Sequence, residues 1–216
     1  MRRRRAPCAR GRRRPRRGSD RPSPGTASGG AAQAVGRGGV HAARLLRWRT
    51  GRALDHHEAM SDPTAPVRDI AQLARQHGFR IGAAESLTGG TISSALAQGE
   101  GAADWYHGTV VSYHEKVKFD LLGVTPGPVI TERCAIEMAQ GATRVLEADA
   151  VVSTTGAGGP DEEEGHPPGT VYVGVMVRGE VTCSKLELGG DPEEIVQEAT
   201  QRSLELLLEQ LRAATG

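Results

Sequence analysis

Between Thr64 and His77, apolar side chains fall at Val67, Ile70, Leu73 and Ala74, the three- and four-residue spacing of one helix face. Gly78 stands where a C′ glycine closes a helix. The short apolar run "FRIGAA" then reads as a buried strand, Ser86 to Gly90 as a turn, and "TISSALAQG" as a second helix. "GTVVSY" at 108 to 113 is β-branched and predicts a strand, and "KVKFDLLG" a short helix closed by Gly123. Thr131 is placed to cap a helix running to about Glu147, with Ile136, Met138, Ala139, Ala142, Val145 and Leu146 on its apolar face.

"DAVVSTTG" predicts a strand that runs into the glycine-rich loop "GAGGPDEEEGHPPG". "TVYVGVMV" and "VTCSKLEL", separated by Arg178-Gly179-Glu180, have the pattern of a β-hairpin. A last helix opens on Asp191 as cap and Pro192 at its first position, with Glu193 and Glu194 in the first turn and an apolar stripe to Leu211. Helices alternating with strands, plus one hairpin, predict a three-layer α/β/α domain built on a mixed β-sheet.

Composition changes the picture only upstream of this pattern. Met1 to Met60 holds 16 arginines, no lysine and three acids, a formal +13, while the remainder carries 11 basic and 23 acidic residues, or −12. The near-neutral total of +1 conceals two opposite parts. The basic part has too few aliphatic residues to offset the entropy of ordering and reads as disordered. The division is therefore an Arg-rich leader at 1–59 and a folded domain at 60–216.

Two accounts of the leader follow. Its arginines can neutralise phosphates, which makes nucleic acid a partner if the leader is present in the native protein. Arginine without lysine, mixed with Ala, Gly and Pro, is also what translation upstream of the true start of a GC-rich gene gives, and Met60 opens an ordinary beginning. The second account is preferred. The leader lacks the amphipathic periodicity of a transit peptide, and no apolar run approaches the ~20 residues of a membrane span. Three scattered cysteines without a C-x-x-C pair argue against a disulfide framework or zinc site and fit a reducing cytoplasm.

Three polar, glycine-bearing segments follow or end the apolar strands: Glu85 to Gly90, Tyr113 to Lys118, and Thr154 to Pro160. The carboxyl ends of strands in open α/β sheets are where ligands bind, so the three are expected to meet in one site. In the first, Ser86 or Thr88 is a natural cap for the following helix, and the glycines suit a tight turn. The same residues also suit catalysis, with Ser86 as nucleophile and free N–H groups around Thr88, Gly89 and Gly90 holding an oxyanion.

In "SYHEKVK" a neutral lysine can serve as the base for a serine, with Tyr113 orienting it or relaying a proton, but chemistry alone does not separate Lys116 from Lys118. In "TTGAGGPDEEEGHPPGTV", backbone N–H groups of Gly156, Gly158 and Gly159 with the Thr155 hydroxyl suit a phosphate. The loop lacks the G-K-[ST] of a Walker A motif and the spacing of a dinucleotide fingerprint. "DEEE" reads as solvated loop. The histidines show no metal-ligand spacing, and neither metal nor cofactor is expected.

In this order the segments resemble the CinA C-terminal domain family, the nicotinamide-nucleotide amidases. The resemblance rests on Ala84-Glu85-Ser86-Leu87-Thr88-Gly89-Gly90, Trp105 and Tyr106, Gly108-Thr109-Val110-Val111-Ser112-Tyr113, Lys118, Leu121-Leu122-Gly123-Val124, Thr155-Gly156-Ala157-Gly158-Gly159-Pro160 and Pro168-Gly169-Thr170-Val171. It covers about Val67 to Leu211.

The resemblance implies Ser86 as nucleophile assisted by Tyr113 and Lys118. It leaves Glu85, Thr88, Gly89, Gly90, Thr155, Gly156, Gly158 and Gly159 as the substrate-binding candidates. It also implies nicotinamide mononucleotide as the small-molecule substrate and self-association of the chain. Leu87 stands where the family has cysteine, and Gly158-Gly159 with the acidic run departs from the family's T-G-x-A-G-P loop. The leader is neither long nor apolar enough for the separate N-terminal domain of full-length members. A non-catalytic nucleotide-binding protein of the same fold is the rival reading.

Overall fold

A computed structural model describes residues 65–216. The predicted leader and the boundary near residue 60 lie outside the described residues. The chain runs α1 (Ala65–His77), β1 (Ile81–Glu85), α2 (Thr91–Ala97), α3 (Ala102–Trp105), β2 (Tyr106–Val111), α4 (Glu115–Val117), a π-helical turn (Lys118–Leu122), α5 (Glu132–Leu146), β3 (Ala150–Gly156), β4 (Thr170–Val177), β5 (Glu180–Glu187) and α6 (Pro192–Ala213).

The strands form one five-stranded sheet in the order β2-β1-β3-β4-β5. β1 pairs in parallel with both β2 and β3, and β4 and β5 continue antiparallel. The three parallel strands therefore end at the same side of the sheet. β1 and β3 are buried along their whole length, as strands covered on both faces must be. The edge strand β5 instead mixes exposed and half-buried residues.

Side chains of β3 alternate between two cores. Ala150 and Val152 join α1, α2 and α6 on one face, whereas Val151 joins α5 and the π turn on the other. This is the three-layer mixed-sheet architecture that the periodicity predicts.

Local signals account for the element ends. Gly78 takes φ +68 after α1. The Thr131 side chain accepts from the Cys134 N–H at 3.1 Å to start α5. At α6, Asp191 and Glu194 form a reciprocal capping box behind Pro192. The β4–β5 turn is two residues long, since Glu180 already belongs to β5. Arg178 and Gly179 both take positive φ, 49 and 96, the conformation that matches a twisted hairpin. No helix among the described residues is long and apolar enough to cross a membrane.

Candidate active site

The register places Glu85 beside Val111, and Ala84 beside Ser153. The segments that leave β1, β2 and β3 consequently emerge next to one another. Ser86, Leu87, Tyr113, Gly156, Gly158 and Gly159 line a single cavity of about 200 Å³, completed by Glu163 from the acidic run and by Pro192 and Val196 from α6. The three polar segments thus converge as the strand pattern predicts.

The decisive contact is made by Ser86, one of the lining residues. Lys118 Nζ is 2.9 Å from Ser86 Oγ, 2.7 Å from the Ser112 carbonyl and 3.3 Å from the Tyr113 carbonyl. Lys118 is 1% exposed and Ser86 9%. The choice between the two lysines follows from helix geometry. Val117 at the end of α4 and Phe119 and Leu122 of the π turn pack on the second core, which turns Lys118 inward and leaves Lys116 on the surface paired with Asp120. A π turn at a functional position is a recurring device for aiming one side chain.

Burial pushes the Lys118 ammonium below its usual value, opposed by Cys134 where its thiol is ionised and by the carboxylates of Glu163, Glu115 and Glu164. The two carbonyls fit the neutral form well. A neutral amine has two N–H donors and one lone pair, so donation to Ser112 and Tyr113 leaves the lone pair facing the serine hydroxyl. In that state Ser86 donates to Lys118, the arrangement required of a base.

Several candidates occupy places other than those expected. The cap of α2 is neither Ser86 nor Thr88. The residue at the cap position is Gly90, in the left-handed region, and the Glu85 carboxylate accepts from the N–H groups of Gly90, Ile92 and Ser93 at 2.9, 3.2 and 2.8 Å. Glu85 is fully buried, so its carboxylate holds the turn and does not face the cavity. The Gly89 N–H donates to the Ser86 carbonyl. Gly89 and Gly90 N–H groups are therefore engaged within the turn, whereas those of Leu87 and Thr88 have no acceptor among the described residues.

The Thr88 hydroxyl meets Thr154 Oγ1 at 3.0 Å inside the protein. The Thr155 hydroxyl donates to the Val129 carbonyl at 2.7 Å, away from the cavity. The expected use of Thr155 on a phosphate is corrected accordingly. Gly158 and Gly159 keep free N–H groups among the described residues. Tyr113 touches the lysine through its carbonyl, while the residue as a whole is 72% exposed and lines the cavity.

The acidic run is also more than solvated loop. Glu164 accepts from the N–H groups of Val129 and Ile130, both at 2.8 Å, and pins the approach to α5. Ser112, Glu163, Pro192 and Val196 were not legible as site residues. Ser112 contributes through its backbone, Glu163 comes from the acidic run read as solvated loop, and Pro192 and Val196 arrive from α6, distant in sequence. Among the described residues no cluster of three or more His, Cys, Asp or Glu is placed to hold a metal ion.

Residues 63–211 match the family model of the CinA C-terminal domain. The chain belongs to the CinA C-terminal domain family. A putative competence-damage inducible protein of Geobacillus kaustophilus is 37% identical over 172 residues, covering 76% of this chain and 40% of the relative. Its Bacillus subtilis counterpart is 32% identical over 155 residues, covering 69% and 37%. The chain thus spans about two fifths of the length of these curated relatives.

Solved structures of single CinA-superfamily domains align over nearly their full length. The Klebsiella pneumoniae protein has a TM-score of 0.68 at 28% identity, covering 71% of this chain and 99% of its own. The Escherichia coli protein has 0.67 at 29%, covering 70% and 93%.

Proposed function

We propose that this CinA domain is an amidohydrolase that converts nicotinamide mononucleotide to nicotinate mononucleotide and ammonia, acting in the cytoplasm as a self-associating protein. The single observation that carries the reading is the desolvated Lys118 amine set 2.9 Å from the Oγ of Ser86, which lines the cavity. The motif resemblance supplies the substrate class.

In the proposed reaction Ser86 gives its hydroxyl proton to Lys118 while Oγ bonds to the carboxamide carbon. The oxyanion is held by the Leu87 and Thr88 N–H groups, which have no acceptor within the described residues. The tetrahedral adduct collapses as the C–N bond breaks, and the Lys118 ammonium returns the proton to the departing nitrogen, giving ammonia. Water then adds to the acyl-serine, giving its proton to Lys118. When the C–Oγ bond breaks, Lys118 returns that proton to Ser86 and the acid leaves. Tyr113 borders the substrate and, through its carbonyl, fixes one N–H of the lysine.

Ser86→Ala removes the atom that forms the covalent bond, so ammonia release from the mononucleotide should fall by at least about a thousandfold. Unchanged turnover overturns the assignment. Assay across a panel of pyridine nucleotides identifies the preferred carboxamide.

A further inference from the structure

The cavity wall holds a charge for which the proposed chemistry has no use. Glu163 is exposed, and its carboxylate has no hydrogen-bond partner among the described residues. Its position is nonetheless fixed. The main chain of Glu163 exchanges two hydrogen bonds with His166, at 3.1 and 2.9 Å, and the neighbouring Glu164 is anchored on Val129 and Ile130. Glu163 lines the cavity together with Ser86 and the apolar residues Leu87, Pro192 and Val196.

Among the described residues no Lys, Arg or His lines the cavity itself, and Lys118 reaches it only through Ser86. A phosphate seated deep in it would meet a carboxylate without a compensating cation, whereas a cation would find both that carboxylate and the ring of the exposed Tyr113. The volume of about 200 Å³ lies below the ~300–1,000 Å³ of pockets that enclose drug-sized ligands, and so suits one substituted ring. A larger ligand must extend beyond the mouth.

We propose that Glu163 is a specificity-determining residue that reads a positive charge on the ring bearing the carboxamide, so that the site selects amides of cationic heteroaromatic rings over neutral rings of the same shape. The inference rests on the amidase reading of the same cavity and adds the charge state of its substrate. Glu163 acts on the bound ring, not on the reacting bond. Its influence on the ring belongs in KM, whereas its charge effect on Lys118 is common to both kinds of amide and cancels in their ratio.

The test uses 1-methylnicotinamide and 3-methylbenzamide, which share size and shape and differ in the ring N⁺ replaced by carbon. Comparing variant with wild type for each amide cancels their different intrinsic reactivity. Glu163→Gln should lower the ratio of kcat/KM for the cationic amide to that for the neutral one by about fivefold, through KM, with less effect at high salt. Glu163→Lys should lower it further. An unchanged ratio, or equal loss on both amides, overturns the inference.

A binding measurement separates this from the amidase reading. Calorimetric titration of 1-methylnicotinamide into the Ser86→Ala protein should show about fivefold weaker binding once Glu163→Gln is added. If wild type hydrolyses neither amide nor the mononucleotide, while the cation still binds through Glu163, the amidase reading falls and the charge-reading site stands. Hydrolysis of both amides without charge discrimination leaves the reverse.

Discussion

Ser112 donates its backbone N–H to the Glu85 carbonyl at 2.7 Å, and its own carbonyl is 2.7 Å from Lys118 Nζ. One residue at the end of β2 thereby joins the peptide that precedes Ser86 to the amine that faces Ser86. Ser86 and Lys118 lie 32 positions apart in the chain, yet their separation is set by main-chain bonds at adjoining strand ends. Backbone atoms in a sheet have little freedom, which makes this a stiff way to hold a reactive pair.

The lowered proton affinity of Lys118 has an observable sign. Its ordinary value is 10.5, so the unfolded chain binds this proton more tightly than the folded one. Stability should rise as pH climbs from the folded value towards 10.5. The Cys134 and Cys183 thiols, pushed by burial from 9.0 up to about 11, act oppositely because the unfolded thiols ionise first. Subtracting the urea stability of Lys118→Met from that of wild type at each pH isolates the lysine, and the difference should increase with pH. Activity in the same variant should fall about a thousandfold or more, while wild-type kcat/KM rises with pH through the folded lysine value.

Glu85→Ala leaves three N–H groups at the start of α2 without their carboxylate. A loss of about 2–3 kcal/mol in urea unfolding is expected, with Glu85→Gln losing less because one amide oxygen still accepts. Both variants should lower kcat more than they raise KM, since the turn they loosen carries Ser86, the proposed nucleophile. An effect confined to KM would indicate direct contact with substrate.

Gly141 lets α5 lie against the turn that carries Lys118. A Cβ there would overlap the Leu122 carbonyl, which is main chain and has no side-chain rotation with which to yield. Gly141→Ala should cost about 1–3 kcal/mol in urea unfolding and reduce kcat by displacing the lysine. Unaltered kinetics would show that the π turn tolerates a shift without moving the amine.

Cys134 is fully buried near Lys118, and burial pushes its thiol up to about 11. It is thus poorly suited to act as a nucleophile. Cys134→Ala should retain ammonia release within about threefold, and iodoacetamide at pH 8 should label Cys134 only after unfolding. Loss of activity with intact folding would assign the thiol a chemical role.

Periodicity and caps determined most of the fold. Val67, Ile70 and Ala74 mark one buried helix face, Thr131 and Asp191 cap the helices that they precede, and the hairpin turn falls at Arg178-Gly179. These signals are local, because hydrogen bonding and solvent exposure within a few residues select them. The motifs likewise brought Ser86, Tyr113, Lys118 and the glycine loop forward together.

Only the tertiary structure decided how those residues are used. It turned Lys118 inward and Lys116 outward, moved the Glu85 carboxylate from the cavity to the start of α2, and committed the Thr155 hydroxyl to Val129. It also brought Glu163, Pro192 and Val196 to the wall beside Ser86. A side chain's chemical type is written in the sequence, but its solvation and its partners depend on groups far along the chain that strand pairing brings within hydrogen-bond reach. For Ser86 that is the whole difference between a polar residue in a turn and a hydroxyl held against a desolvated amine.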